Sequence, residues 1–420
     1  MREMKDTGVA WIGAIPSKWP LVRFKDKYAN TKEIAKERSV EFERLALTLN
    51  GVIKRPKDDS EGLQPKEFDG YQILRENDFV FKMIDLQNVS TSRVGLSTYT
   101  GLVSPAYIRF SPKKPNQYNQ FVYYYLMSLY YNCVYNNLGG NGVRSALNAK
   151  DMGEFLVPYP DEAEQRRICA FLDKKCTQVD TLIANVQTQI EKLKFYKQSL
   201  ISEVVTKGLD HTVPMKDSGV AWIGEIPAHW EIKRGKALFK ETEARSADGS
   251  EELLTVSQYT GITPRSQKNV TMFEALSLEG YKICEIGDIA ANTMWLWAGA
   301  IGVSEYRGVI SPSYNVYRQR GNDFIPQYLD HLLRAPMLVQ EYASLSTGIR
   351  ASRLRLYPKD FLNIHFPVPP LEEQQAILDA LSSKCSAVDR LISIKQAKIE
   401  KLEQYKRSLI YEYVTGKKEA

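Results

Sequence analysis

Residues 139–145 read Gly-Gly-Asn-Gly-Val-Arg-Ser, which puts Asn141, Arg144 and Ser145 on a pliable backbone leading to Asn148 and Lys150. A matching stretch, residues 347–353, reads Thr-Gly-Ile-Arg-Ala-Ser-Arg and supplies Arg350, Ser352 and Arg353, with Arg355 just beyond. Guanidinium forks suit guanine edges, amides suit adenine and any cation suits a phosphate, so loops of this kind can contact a nucleic acid. Arg144 and Arg350 hold equivalent places in otherwise different sequence, which favours a shared phosphate contact; a residue common to both cannot distinguish two targets. An intramodule ion pair, or plain surface exposure, is the alternative for both.

Discrimination between bases should lie where the two stretches of chain differ. The candidates are Lys82, Gln87, Asn88 and Arg93 in the first half, and Asn292, Trp295 and Trp297 in the second. Trp295 and Trp297, at i and i+2, would share one face of a strand, where burial in a sheet is as good an account as contact with a ligand.

Other chemistries lack their residues. There is no G-x-x-x-x-G-K-[ST] loop for nucleotide phosphates, no G-x-G-x-x-G turn for a dinucleotide, and no Asn-Pro-Pro-aromatic tetrad. His211, His229, His331 and His365 are scattered without metal-ligand spacing. Cys133, Cys169, Cys176, Cys284 and Cys385 are odd in number and form no C-x-x-C pair, which argues for reduced thiols over disulfides or a zinc site.

The chain has 420 residues, 43% hydrophobic and 25% charged, with a net charge of +6. That is the balance of a soluble globular protein, and the charge permits a polyanionic partner without demanding one. No apolar leader opens the chain and no run of eighteen apolar residues interrupts it, so a cytoplasmic protein without a membrane partner is expected.

The elements that must position these loops are written twice. MKDTGVAWIGAIPSKW from Met4 recurs as MKDSGVAWIGEIPAHW from Met215, with twelve of sixteen positions identical. CTQVDTLIANVQTQIEKLKFYKQSLI from Cys176 recurs as CSAVDRLISIKQAKIEKLEQYKRSLI from Cys385. Between these ends only sparse anchors persist, such as Gly70/Gly280, Tyr71/Tyr281 and Asp78/Asp288, so one framework carries two variable modules, roughly 20–158 and 231–367. Their short β-branched and aromatic runs, punctuated by Gly, Asn and Pro, predict mixed α/β modules. Phe121–Tyr135 and Pro326–Ala343 predict a helix packed on each module's own sheet.

Long helices are predicted from Asp161 or Glu164 to about Val205 and from Leu371 to about Val414, because prolines precede each span and no Gly or Pro falls inside. Leu172, Val179, Val186, Leu193 and Leu200 form one heptad row, and Ile183 and Ile190 belong to the adjoining one. The second helix repeats the seam with Leu381, Val388, Leu402 and Leu409 beside Ile392 and Ile399. Each helix offers the partner the other lacks. Because the first leads into module two and the second leaves it, the pair should run antiparallel and bring the chain ends together in a pseudo-circular, two-fold arrangement. A helix of about 42 residues spans about 60 Å, close to two turns of duplex DNA at about 34 Å each, which suits two modules held apart to read unlike half-sites.

The duplicated VAWIGAIPSKW and VAWIGEIPAHW, the lead-ins PYPDEAEQRRI and PVPPLEEQQAI, and the helices ending KLKFYKQSLISEVVT and KLEQYKRSLIYEYVT resemble the specificity subunit of type I restriction-modification systems. The match runs through nearly the whole chain in order, although the first lead-in lacks the Pro-Pro-Leu of the second. The resemblance implies two target recognition domains, 1–160 and 209–370, joined by spacer helices 161–208 and 371–420. It also implies double-stranded DNA, two modification (methyltransferase) subunits and restriction subunits as partners. S-adenosylmethionine, ATP and Mg would then belong to those partners and no catalysis to this chain. The competing reading is a protein–protein scaffold on a coiled-coil spacer; salt dependence separates the two, since phosphate contacts weaken steeply as salt rises.

Overall fold

No glycine or proline falls within residues 161–207, and the computed structural model carries a single helix over Glu162–Lys207, repeated over Leu371–Val414. The structure describes residues 2–48, 51–59, 67–84, 86, 93–138, 146–268, 277–348 and 354–420. Asp161 starts the first long helix by accepting the Glu164 backbone N–H at 2.8 Å. Each long helix stops at a glycine in the left-handed region, Gly208 (φ 77°) and Gly416 (φ 67°), where a side chain would be strained.

The chain divides into two units, Met1–Val186 with Ala397–Ala420, and Gln187–Gln396. In the first, a four-stranded antiparallel sheet runs in the order Tyr28–Asn30, Ile108–Pro112, Phe79–Phe81, Val94–Leu96. A second sheet runs Gly51–Arg55, Arg44–Thr48, Gly101–Val103, Gln72–Leu74, with one parallel step where Leu102 faces Arg44. Phe79, Val80 and Phe81 are wholly buried, so this strand is covered on both faces and forms the centre of the module.

The second unit repeats the plan. Phe239–Thr242, Asn315–Gln319, Ile289–Ala291 and Ile301–Val303 form its four-stranded sheet. The hairpin Leu254–Ser257/Gly261–Pro264 and the pair Lys282–Cys284/Gly308–Ile310 take the place of the other sheet, joined by a parallel bridge between Leu253 and Val309. The fold is mixed α/β, as the texture of the modules predicts. The predicted apolar spans are each two helices instead of one. Gln120–Tyr131 and Val134–Leu138 are separated by Cys133 at φ 54°, and Pro326–Leu333 and Pro336–Leu345 by the turn before Pro336, whose ring cannot continue a helix.

Within each unit the two long helices run antiparallel. In the first, Phe171 stacks on Tyr413 at 4.5 Å and Lys406 binds Asp180 at 2.7 Å. In the second, Lys395 donates to Gln189 at 2.6 Å and Lys197 binds Asp389 at 2.7 Å. Position numbers rise on one helix as they fall on the other. Leu172, Val179, Val186, Ile190, Leu200, Leu381, Val388 and Leu409 are buried along the seam, and Ile183, Leu193, Ile392, Ile399 and Leu402 are half-buried. The lysines that break the apolar rows reach across to a partner carboxylate or amide, and the duplication makes Lys406–Asp180 and Lys197–Asp389 the same bond made twice. Arg2 donates to Glu419 at 2.7 Å, which sets the two ends of the chain side by side.

Candidate nucleic-acid interface

In the first unit the central strand Phe79–Phe81 runs out into a loop at one end of the sheet. The Lys82 N–H donates to Arg93 O at 3.0 Å and the Leu147 N–H to Met83 O at 3.1 Å, while Ile84 forms an antiparallel bridge with Ala146. This bridge ties together the roots of the two polar stretches that carry Gln87 and Asn88, and Asn141, Arg144 and Ser145. Those five residues lie outside the described residues. Asn148 is a helix cap: its Oδ1 accepts the N–H groups of Lys150 and Asp151 at 2.8 and 3.1 Å, opening the helix Ala149–Gly153 and leaving Lys150 exposed at the rim.

The second unit builds the same end differently. After Ile289–Ala291 the chain closes into a short 3₁₀ turn, Leu296–Ala298. Asn292 organises it, donating from Nδ2 to the Tyr314 hydroxyl at 2.9 Å and accepting the Met294 N–H at 3.2 Å. Burial raises the Tyr314 phenol above its ordinary range, so it stays neutral beside that amide. Trp295 and Trp297 stack at 5.7 Å and 25°, and the Trp297 indole N–H donates to Met294 O at 3.0 Å. Gly299 (φ 85°) seats the turn against the helix Pro336–Leu345, where an added Cβ would lie 3.1 Å from Val339. From that helix the chain passes to a two-way bond between Thr347 and Arg355, at 3.0 and 2.9 Å, that clasps the root of the basic loop. Arg355 is exposed; Arg350, Ser352 and Arg353 lie outside the described residues.

In the first unit the roots of the two stretches are bridged at one end of the main sheet, and in the second the turn after the central strand packs on the helix that leads to the basic stretch, on a framework that recurs at both ends of each half. The family described as the type I restriction modification DNA specificity domain matches residues 24–193 and 229–404. The chain belongs to that family. It is 26% identical to the type I restriction enzyme MjaVIII specificity subunit of Methanocaldococcus jannaschii over 96% of this chain and 93% of that protein. It is 23% identical to the EcoBI specificity subunit of Escherichia coli over 69% of this chain and 64% of that one. A solved chain from work on complex assembly and conformational transition of the type I R-M system shares the fold, with a TM-score of 0.63 at 14% identity, covering 95% of this chain and 98% of that one. The protein is therefore a specificity subunit with two tandem recognition domains.

Several expectations for this specificity subunit are corrected by burial. Arg93 is wholly buried, its guanidinium donating to Leu86 O at 2.7 Å, so it braces the loop from inside instead of reading a base. Asn292 is also buried and has its amide engaged in the turn. Trp295 and Trp297 are not on a strand face; they stack on each other in a 3₁₀ turn, and Trp295 is half-exposed. Lys82 is half-buried at the rim.

The duplicated ends join each module to a long helix. Trp19 and Trp230, which close the duplicated motif, donate their indole N–H groups to Glu164 and Glu373 at 2.9 Å each. The next residue in each lead-in, Gln165 and Gln374, is buried and donates to the carbonyls of Pro160 and Pro369. These bonds lock each module onto the start of a long helix. The signal was the recurrence of Trp and of Glu-Gln at both ends. Among the described residues no group of His, Cys, Asp and Glu could hold a metal, and no helix is long and apolar enough to cross a membrane.

Proposed function

We propose that each recognition domain, 1–160 and 209–370, reads one half of a bipartite asymmetric DNA target, with the long helices 161–208 and 371–420 setting the unread spacer. The observation that carries this is that each unit ties the segment after its central strand to the element leading into its second polar stretch, by the Ile84–Ala146 bridge in the first and by the Asn292–Ala298 turn seated on the helix Pro336–Leu345 in the second. Lys82, Lys150 and Arg355 supply cations at the rim, joined by Arg144, Ser145, Arg350, Ser352 and Arg353 on the loops; Gln87, Asn88, Asn141 and Trp295 are the base-reading candidates. Asn148 takes part through the helix it caps.

Two modification subunits dock on the long helices, and restriction subunits complete the complex. Leu182 and Leu391 are each 48% exposed, and Tyr196 and Tyr405 are 53% and 52% exposed. These are duplicated positions, so each unit presents one such leucine and one such tyrosine. Two copies of a partner need two equivalent faces, and exposed apolar side chains repeated this closely suit them. The chain itself is non-catalytic; S-adenosylmethionine, ATP and Mg belong on the partners. Mapping modified bases in a host that carries this chain with its modification subunit tests the reading. A split motif is expected, and exchanging residues 231–367 for another module should change one half alone. Loss of both halves in that exchange would refute modular reading.

A further inference from the structure

Both units present an exposed apolar side chain at the same point, three residues beyond the central strand. Phe81 ends the strand in the first unit and Ile84 follows, 44% exposed; Ala291 ends it in the second and Met294 follows, 40% exposed. The surrounding sequence has diverged almost completely, yet this property persists. Lys82 lies two residues before Ile84, exposed Lys150 opens the helix just after its bridge partner Ala146, and Arg355 lies on the segment that follows the helix packed under the Met294 turn. Neither side chain is fully covered by its own module.

Each is also rigidly mounted. Ile84 sits on the bridge to Ala146, between the Met83–Leu147 bond and Leu86, whose carbonyl accepts from both Arg93 and Asn136. Met294 is fixed at its N–H by Asn292 and at its carbonyl by Trp297, and Trp295, next in sequence and stacked on Trp297, leaves one half-exposed ring. A fixed, apolar, unbranched or β-branched side chain on a module that carries cations suits insertion between base pairs: phosphate contacts hold the duplex, and the apolar tip enters a step and partly unstacks it.

Resting on the DNA-reading function above, we propose that Ile84 and Met294 are wedges, each opening one base-pair step in the half-site its unit reads, with Trp295 covering the exposed base face in the second half. A partner that modifies a base must take that base out of the stack, and an opened neighbouring step lowers the cost. The wedges also favour flexible pyrimidine–purine steps at the point of entry, which gives specificity without a hydrogen bond to a base edge.

The test uses the complex of this chain with its modification subunit, bound to a duplex bearing the target found by modified-base mapping, with 2-aminopurine placed in turn at each position flanking the modified base. The expected result is a rise in fluorescence at one step in each half. Ile84→Ala should abolish the rise in the first half alone and Met294→Ala in the second alone, each weakening binding about tenfold. The untouched half serves in each variant as the control that the chain is folded. Brightening that survives both substitutions, or specific binding with no brightened step, overturns the wedge while leaving half-site reading intact. A complex that binds no sequence preferentially overturns the functional reading and the wedge with it.

Discussion

The indole N–H of Trp230 donates to the Glu373 carboxylate at 2.9 Å, across 143 residues of sequence. His229 shares that carboxylate at 2.8 Å, and Gly208, the residue that ends the first long helix, is so close that an added Cβ would lie 2.7 Å from it. One carboxylate therefore joins the duplicated motif, the start of one long helix and the end of the other. Trp230→Phe removes the donor and leaves a smaller ring in a wholly buried site, so the losses of the bond and of packing add. Because the acceptor is charged, urea denaturation should show a loss of at least about 1.5–3 kcal/mol. An unchanged midpoint would mean the bond contributes nothing to the joint.

Asp78 and Arg109 form an ion pair at 2.6 Å with side chains only 3% and 4% exposed. Arg109→Met leaves a buried carboxylate without its cation and should cost about 3–5 kcal/mol. In the second unit Asp288 is equally buried, but its partner Arg318 is 43% exposed, so Arg318→Met should cost less because water reaches the vacated side. Equal losses in the two variants would contradict this dependence on burial.

Arg93 lies inside the first module, and its substitution should act on stability rather than on sequence preference. Arg93→Met removes the donor to Leu86 O and should lower the unfolding free energy by about 1–3 kcal/mol. Base mapping should still return the parental target. A new base preference in the first half-site would show that Arg93 reaches DNA.

Burial pushes the thiols of Cys169 and Cys284 up to about 12 and that of Cys176 up to about 11, while Cys133 is exposed. A raised thiol pKa keeps the group protonated at pH 8, and only the thiolate is a nucleophile. Titration of the native protein with a disulfide reagent should consume Cys133 first and half-buried Cys385 more slowly. The other three should react only in denaturant. Fast reaction of all five in native buffer would rule out the buried setting.

Inserting seven residues at facing positions of both long helices lengthens each by about 10.5 Å, room for up to about three more base pairs at about 3.4 Å each. Base mapping should return the parental half-sites with a longer spacer. An unchanged spacer in a folded, active complex would count against the helices as the ruler.

The sequence alone determined the duplication, the two long helices and their seam, because heptad spacing and the absence of glycine and proline are local signals read directly from the chain. It also placed the boundaries of those helices to within a turn. Tertiary structure decided which side chains face solvent. Arg93 and Asn292 look like base readers by residue type, yet the packing of the loop roots turns both inward, and Trp295 and Trp297 lie on a 3₁₀ turn seated on a helix more than thirty residues further along the chain. The bond from Trp19 to Glu164 was invisible for the same reason: hydrogen bonds between distant segments depend on how the chain returns on itself, and no periodicity records that return.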